Sequence, residues 1–307
     1  MDDYEIEDML GLEAMEELGY IEKPVKDQVL TARKLRYNSD KTSVTIPKGL
    51  TEIDYRAFTG CNKLTEWNIP FPNAKFYSEQ GALIEKEHKI LVCWPSANGA
   101  VAIPDGVTEI GKGAFFGCTA LTGVTIPESV TTIGLSAFEG CTGLTNISIP
   151  KSVTRIQGLA FADCTNLTSV SLAEGVTAIE EHAFSNCTAL TGITFPESLT
   201  EIKGYAFSCC ESLTSVTVPK GVKKLWRGIF ANCTSLTSAE ILMNPATIPD
   251  NLFDGCEKLA SVTIPVSLLS IGDCVFRYCD NLASIQAPAG SIAEQYAKEE
   301  NIKFEAI

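Results

Sequence analysis

A phenylalanine, a cysteine and a leucine return in fixed order along most of this chain, and that return restricts the fold more than any other feature. Cys118, Cys141, Cys164, Cys187, Cys210, Cys233, Cys256 and Cys279 stand 23 residues apart. A phenylalanine precedes each of them by three residues, from Phe115 to Phe276, and a leucine follows each by three, from Leu121 to Leu282. Phe58, Cys61 and Leu64 make a ninth copy, put out of phase by an insertion. A 23-residue unit cannot bury its own apolar face, so the copies must stack and share one core.

Within a copy the pattern reads as one supersecondary turn. Leu121 to Pro127 alternates apolar and polar residues and ends at a proline, as a short strand with one buried face does. Pro127 has no N–H for a ladder and suits a strand end. Val130 and Ile133 then lead into Gly134 and a turn or short helical piece carrying Ala137 and Phe138, and Gly140 with Cys141 closes the rung.

The frame Leu-x-x-Val-x-Ile-Pro, Val-Thr-x-Ile-Gly, Ala-Phe-x-Gly-Cys is similar to the BspA-like class of leucine-rich repeats over roughly residues 43–285. The resemblance implies a repeat solenoid: a right-handed leucine-rich-repeat horseshoe with a parallel β-sheet on its concave face. Short second strands and turns or short helices would form the other sides. It also implies adhesion to, or recognition of, a protein or glycan partner, and a place at the cell surface or outside the cell. The shared residues are core residues, so the frame specifies the fold far better than the function.

Around the solenoid, residues 1–42 read as an acidic N-terminal segment or cap, with a helix over 4–21 that sets Met9, Leu12, Met15 and Leu18 on one stripe. Residues 71–100 break the period, and the polar run Glu85, Lys86, Glu87, His88 between two apolar runs reads as the tip of an inserted hairpin. Residues 286–307 read as a C-terminal cap, a short helix from Ser291 to Glu300 followed by the apolar pair Ile302 and Phe304.

The net charge of −14 offers no basic face for a phosphate backbone, which argues against nucleic acid. No stretch approaches the ~20 apolar residues that a membrane-spanning helix needs. The acidic N-terminus has no apolar leader, so with Met1 as the native start the expected compartment is the cytoplasm, against the surface location implied by the resemblance. The cysteine column reads as small buried hydrophobes with reduced thiols, rather than as disulfides or zinc ligands. With two histidines, His88 and His182, and no nucleophile elbow, phosphate loop or metalloprotease helix, the chain is expected to hold no catalytic residues, metal or cofactor.

Two surfaces are candidates for binding. On the concave strands the outward column runs Thr125, Ser148, Ser171, Thr194, Thr217, Glu240, Thr263, small and uncharged except for Glu240. An acid cluster would be expected there in a glycan-cleaving solenoid, and Trp, Tyr and Arg in a protein-binding one. The second candidate is an aromatic and basic patch made of Lys203, Tyr205, Lys223, Lys224, Trp226 and Arg227, from a stretch whose one acid is Glu211. Stacking of the two rungs would bring these residues together, and such a patch suits an acidic partner, the acidic N-terminal segment included. The other reading is a structural spacer with no ligand of its own.

Overall fold

The computed structural model describes residues 29–30 and 41–307, apart from 51, 55–56, 59–60, 74, 244–246 and 265–267. The helix expected over 4–21 lies outside the described residues. Each regular rung contributes a strand of two to five residues and a two-residue strand, and most pair in parallel with their equivalents 23 residues on, the longer series breaking after Leu121–Thr125 and Gly192–Ile193 and the short one after Lys224–Leu225. Thus Asn146–Ile149 pairs with Ser169–Leu172 in the register Ile147 to Val170, and Arg155–Ile156 pairs with Ala178–Ile179 in the register Ile156 to Ile179. The longer strands alternate as the sequence requires, with Ile147 and Ile149 buried and Asn146 and Ser148 exposed.

The third side of the rung is a turn, not a helix, and it contains two left-handed residues. One column runs Ser136, Leu159, His182, Tyr205 and Gly228 at φ between 56° and 62°; the other runs Gly140, Asp163, Asn186, Cys209 and Asn232 at φ between 58° and 73°. These kinks turn the chain back toward the next strand. Their backbone donors reach forward to the following rung, as from Phe138 N–H to the Ala160 carbonyl and from Phe161 N–H to the Ala183 carbonyl, both 2.7 Å. Turn and strand ladders together pair the buried backbone of the stack.

Inside, the phenylalanines form one continuous ring stack. Centroids lie 4.8 Å apart from Phe115 to Phe138 and 5.0 Å apart from Phe138 to Phe161 and from Phe161 to Phe184, with planes within 7°. Each column cysteine is buried beside it, and from Cys141 on the thiol donates to the carbonyl of the phenylalanine one rung back, as from Cys141 to Phe115 and from Cys164 to Phe138, both 3.1 Å, while Cys118 donates to the Trp94 carbonyl at 3.4 Å. The position therefore takes a small apolar side chain that can still give a proton to the second lone pair of a carbonyl that already accepts one backbone N–H. The expected repeat solenoid with its parallel sheets is what the chain forms.

Ring spacing rises to 5.9 Å between Phe207 and Phe230 and stays there to Phe276, whereas strands in a sheet stay ~4.8 Å apart. Over the same rungs the sheet of longer strands runs continuously from Ser215–Val218 to Lys303–Ala306, while the sheet of short strands is interrupted after Lys224–Leu225. The wider ring spacing opens the turn side of these rungs relative to their strands, and the longer strands are those expected on the concave side.

The irregular segment is a three-stranded antiparallel meander, Phe76–Glu79, Ala82–Glu85 and Ile90–Cys93, and its last strand pairs in parallel with Glu109–Ile110. It has two faces. Phe76, Leu83 and Cys93 pack into a core with Phe58, Leu64 and Trp67, while Ala82, Ile84 and Leu91 pack with the phenylalanine stack. At the other end the helix Ile292–Glu299 is capped by the Ser291 side chain and buries Ala293 and Ala297. After it, Lys303–Ala306 pairs in parallel with Ser284–Ala287.

Candidate recognition surface

On the concave strands Thr125, Ser148, Ser171, Thr194, Thr217 and Glu240 are exposed and Thr263 is half-buried. Toward the C-terminal end their side chains bond along the stack: Thr217 Oγ1 donates to Glu240 Oε2 at 3.5 Å, Thr263 Oγ1 to Gln286 Oε1 at 3.2 Å, and Gln286 Nε2 to Glu305 Oε2 at 3.1 Å. Threonine columns that sequence reasoning did not single out are structural as well. Thr168 and Thr237 donate their hydroxyls to the carbonyls of Thr145 and Thr214 at 2.9 and 3.0 Å, and Thr177 and Thr200 do the same on the short-strand side at 2.9 Å. The hydroxyls of these two columns thus mark rung-to-rung bonds.

The short-strand side carries the aromatic and basic group, and stacking does bring it together. Glu201–Ile202 pairs with Lys224–Leu225, so Lys203 and Trp226 fall in one column and Tyr205 and Gly228 in the next. Lys224 Nζ lies 3.7 Å from the centroid of the Trp226 ring, and the Arg227 guanidinium 5.6 Å from that of Tyr205. Tyr205 is stacked on His182 at 5.2 Å with planes within 8°. A Cβ built on Gly228 would fall 2.2 Å from Tyr205 Cε1, so the glycine leaves room for that ring. His182 is half-buried in this stack.

Counting charge along the chain missed the acids one rung back. Lys203 forms an ion pair with Glu180, which also holds Arg155, and the Trp226 indole N–H donates to Glu201 Oε1 at 3.2 Å. Lys203 is accordingly neutralised and half-buried, whereas Lys223, Lys224 and Arg227 are exposed and Trp226 keeps 37% of its surface.

At the inserted meander, potential ligand atoms of Glu85, Glu87 and His88 lie within 4.8 Å of one another. The Glu85 oxygens already accept the backbone N–H groups of Glu87 at 3.2 Å and His88 at 2.8 Å. Burial pushes the Glu85 carboxyl up, but those hydrogen bonds and the nearby charges of His88 and Lys75 carry it below the usual carboxylate range. The arrangement closes a turn. All twelve cysteines are free thiols; Cys274 is exposed and Cys209 half-buried, and the others are buried. Among the described residues no helix is long and apolar enough to cross a membrane.

A stack whose repeated residues point inward and whose variation lies outside defines a repeat-based interaction or scaffold module. The profile of the BspA type leucine rich repeat region matches in six copies over residues 31–80, 97–211 and 177–298, and the chain belongs to that family. Among solved structures, a leucine-rich repeat protein from Bacteroides ovatus is 24% identical, with 87% of this chain and 84% of that one covered and a TM-score of 0.55. A leucine rich repeat protein from T. pallidum is 28% identical, with 78% and 99% covered and a TM-score of 0.48. A leucine rich cell surface protein from Faecalibacterium prausnitzii is also 28% identical, with 88% and 85% covered and a TM-score of 0.48. No curated protein matches the chain.

Proposed function

We propose that this protein is a non-catalytic recognition module, acting at the cell surface, whose short-strand side around Trp226 receives a macromolecular partner. The observation that carries this reading is Trp226 itself: an indole 37% exposed, in a column that earlier rungs fill with Gly134, Gln157 and Glu180. Aromatic and arginine side chains dominate binding energy at protein interfaces. Here Trp226 and Arg227 occupy one rung, next to Tyr205. A protein fits this surface better than a neutral glycan, because Tyr205 is covered by His182 and Gly228 and Trp226 by Lys224, which limits the ring face left for a sugar. Adhesion as the role, and residues 43–285 as the working solenoid between an N-terminal and a C-terminal cap, complete the proposal.

The test is capture of partners by the purified protein, from surface proteins and from a glycan panel, repeated with Trp226→Ala combined with Lys224→Ala. Recognition at this site predicts a saturable partner whose capture falls at least tenfold, since the loss of a buried anchor costs ~2 kcal/mol or more. The second reading, a spacer, draws on the concave column, whose residues are small and, at Thr217 and Thr263, bond to the neighbouring rung. It predicts that no outward substitution changes any binding and that deletion of one whole rung is tolerated.

A further inference from the structure

The rung that bears Trp226 departs from the rest of the protein in charge as well as in shape. The chain has a net charge of −14, yet residues 212–239 contain no Asp or Glu and four cations, Lys220, Lys223, Lys224 and Arg227. All four are exposed. Among the other cations Arg155 and Lys203 pair with Glu180, Arg277 with Asp254, Lys298 with Glu294 and Lys303 with Glu305, whereas the scattered Lys48, Lys151 and Lys258 form no ion pair with any described residue. The four cations of residues 212–239 likewise form no ion pair with any described residue; Lys224 and Arg227 lie over rings instead. Of the acids beside them, Glu180 holds two cations, Glu201 the Trp226 indole, and Asp250 Oδ1 the Asp273 N–H at 2.9 Å, while exposed Glu197 stands one rung back from Lys220.

The opposite imbalance stands at the N-terminus, where Asp2, Asp3, Glu5, Glu7, Asp8, Glu13, Glu16 and Glu17 occur with no Lys or Arg among residues 1–17. We infer that residues 2–17 of this chain dock on the cationic rung of residues 220–227, their carboxylates pairing with Lys220, Lys223, Lys224 and Arg227. The complementarity is between the most acidic stretch of the chain and its longest acid-free basic stretch. Exposed cations of this kind add attraction and orientation more than raw affinity, and Trp226 supplies the apolar contact beside them. This inference rests on the reading of the rung as a recognition site and names the occupant.

Carbodiimide coupling, which joins a carboxylate directly to an amine it touches, tests it on the full chain at low salt with peptide mapping of the products. Bonds from residues 2–17 should reach Lys220, Lys223 and Lys224 several times more often than Lys48, Lys151 and Lys258, which are also exposed. The preference should vanish in 1 M salt, where the screening length is about 3 Å. Replacing Lys223 and Arg227 by Gln, both on the surface, should lower coupling to Lys220 and Lys224. Coupling spread evenly over the six lysines, or absent from these three, overturns the inference. A mixture of isotope-labelled and unlabelled chains assigns the bonds to one molecule or to two, and docking stands in either case. Even coupling together with loss of partner capture by the Trp226→Ala variant would remove this occupant and leave recognition at the rung intact. Selective coupling with unchanged capture would do the reverse.

Discussion

At the scale of single residues, the chemistry of this protein is that of buried thiols and rings. Burial pushes the Cys118, Cys164 and Cys279 thiols up to about 12, from an ordinary value of 9.0. An unfolded thiol loses its proton first, so the native state binds more protons between those values. The stabilisation from keeping these thiols neutral is complete below pH 9 and is lost as the pH rises toward 12. Denaturation midpoints should therefore fall between about pH 9 and pH 11, and less steeply in Cys164→Ala, which has one such thiol fewer. Alkylation of the native protein near neutral pH should modify Cys274 first, then Cys209, and leave the buried ten until the protein unfolds; equal rates at all sites would contradict the packing. Phe184 lies between two rings at 5.0 and 5.2 Å, and its replacement by alanine should cost ~3–5 kcal/mol in urea unfolding. These columns were legible because the same residue returns at the same offset. That the thiols donate to the carbonyl one rung back was not, since the acceptor is backbone and has no letter in the sequence.

At the scale of elements, the strands could be read from alternation and the turns only in part. Leu121 to Pro127 announces a strand through its apolar period, and Leu121–Thr125 forms one. Nothing in the letters announces that Leu159 and Tyr205 take left-handed backbone at φ 57°, because neither side chain favours that region. The stacked geometry of the adjoining rungs imposes it. The same neighbours defeat charge counting: Glu180 and Lys203 are 23 residues apart in the chain and in ion-pair contact across the stack, so the relevant neighbour of a residue is its equivalent in the next rung. Gly228→Ala tests the turn directly. Its new Cβ would meet Tyr205 Cε1 at 2.2 Å and sit at φ +62°. The variant should lose ~1–2 kcal/mol from the left-handed backbone alone. It should also displace Tyr205 from His182, visible as changed ring-current shifts of the His182 protons. Unchanged shifts would mean that the two rings do not stack in solution.

At the scale of the whole molecule, period alone implied one continuous core, whereas the described residues build two. The meander reads in sequence as a single hairpin tip, because the alternation of Ala82, Leu83 and Ile84 is hidden in an unbroken apolar run. In space the strand Ala82–Glu85 is a wall, with Leu83 facing the core of Phe58 and Trp67 and Ile84 facing the phenylalanine stack. Stability in a solenoid is approximately a sum of rung and interface terms, so a weak interface divides unfolding. The wall is the interface here, and it separates a core that is the smaller of the two among the described residues from the long stack. The small unit should open first, at a lower free energy than the rest. Two adjacent substitutions separate the cores, because Leu83 and Ile84 are both fully buried and side by side yet serve opposite sides. Leu83→Ala should raise amide exchange in residues 43–69 and leave the rungs beyond residue 107 protected. Ile84→Ala removes a similar volume and should instead lower the free energy of opening of the long stack near its N-terminal rungs, by ~2–5 kcal/mol. If both variants loosened the same amides to the same extent, the two cores would be one cooperative unit, and the meander would be an insertion on its surface instead of the partition between them.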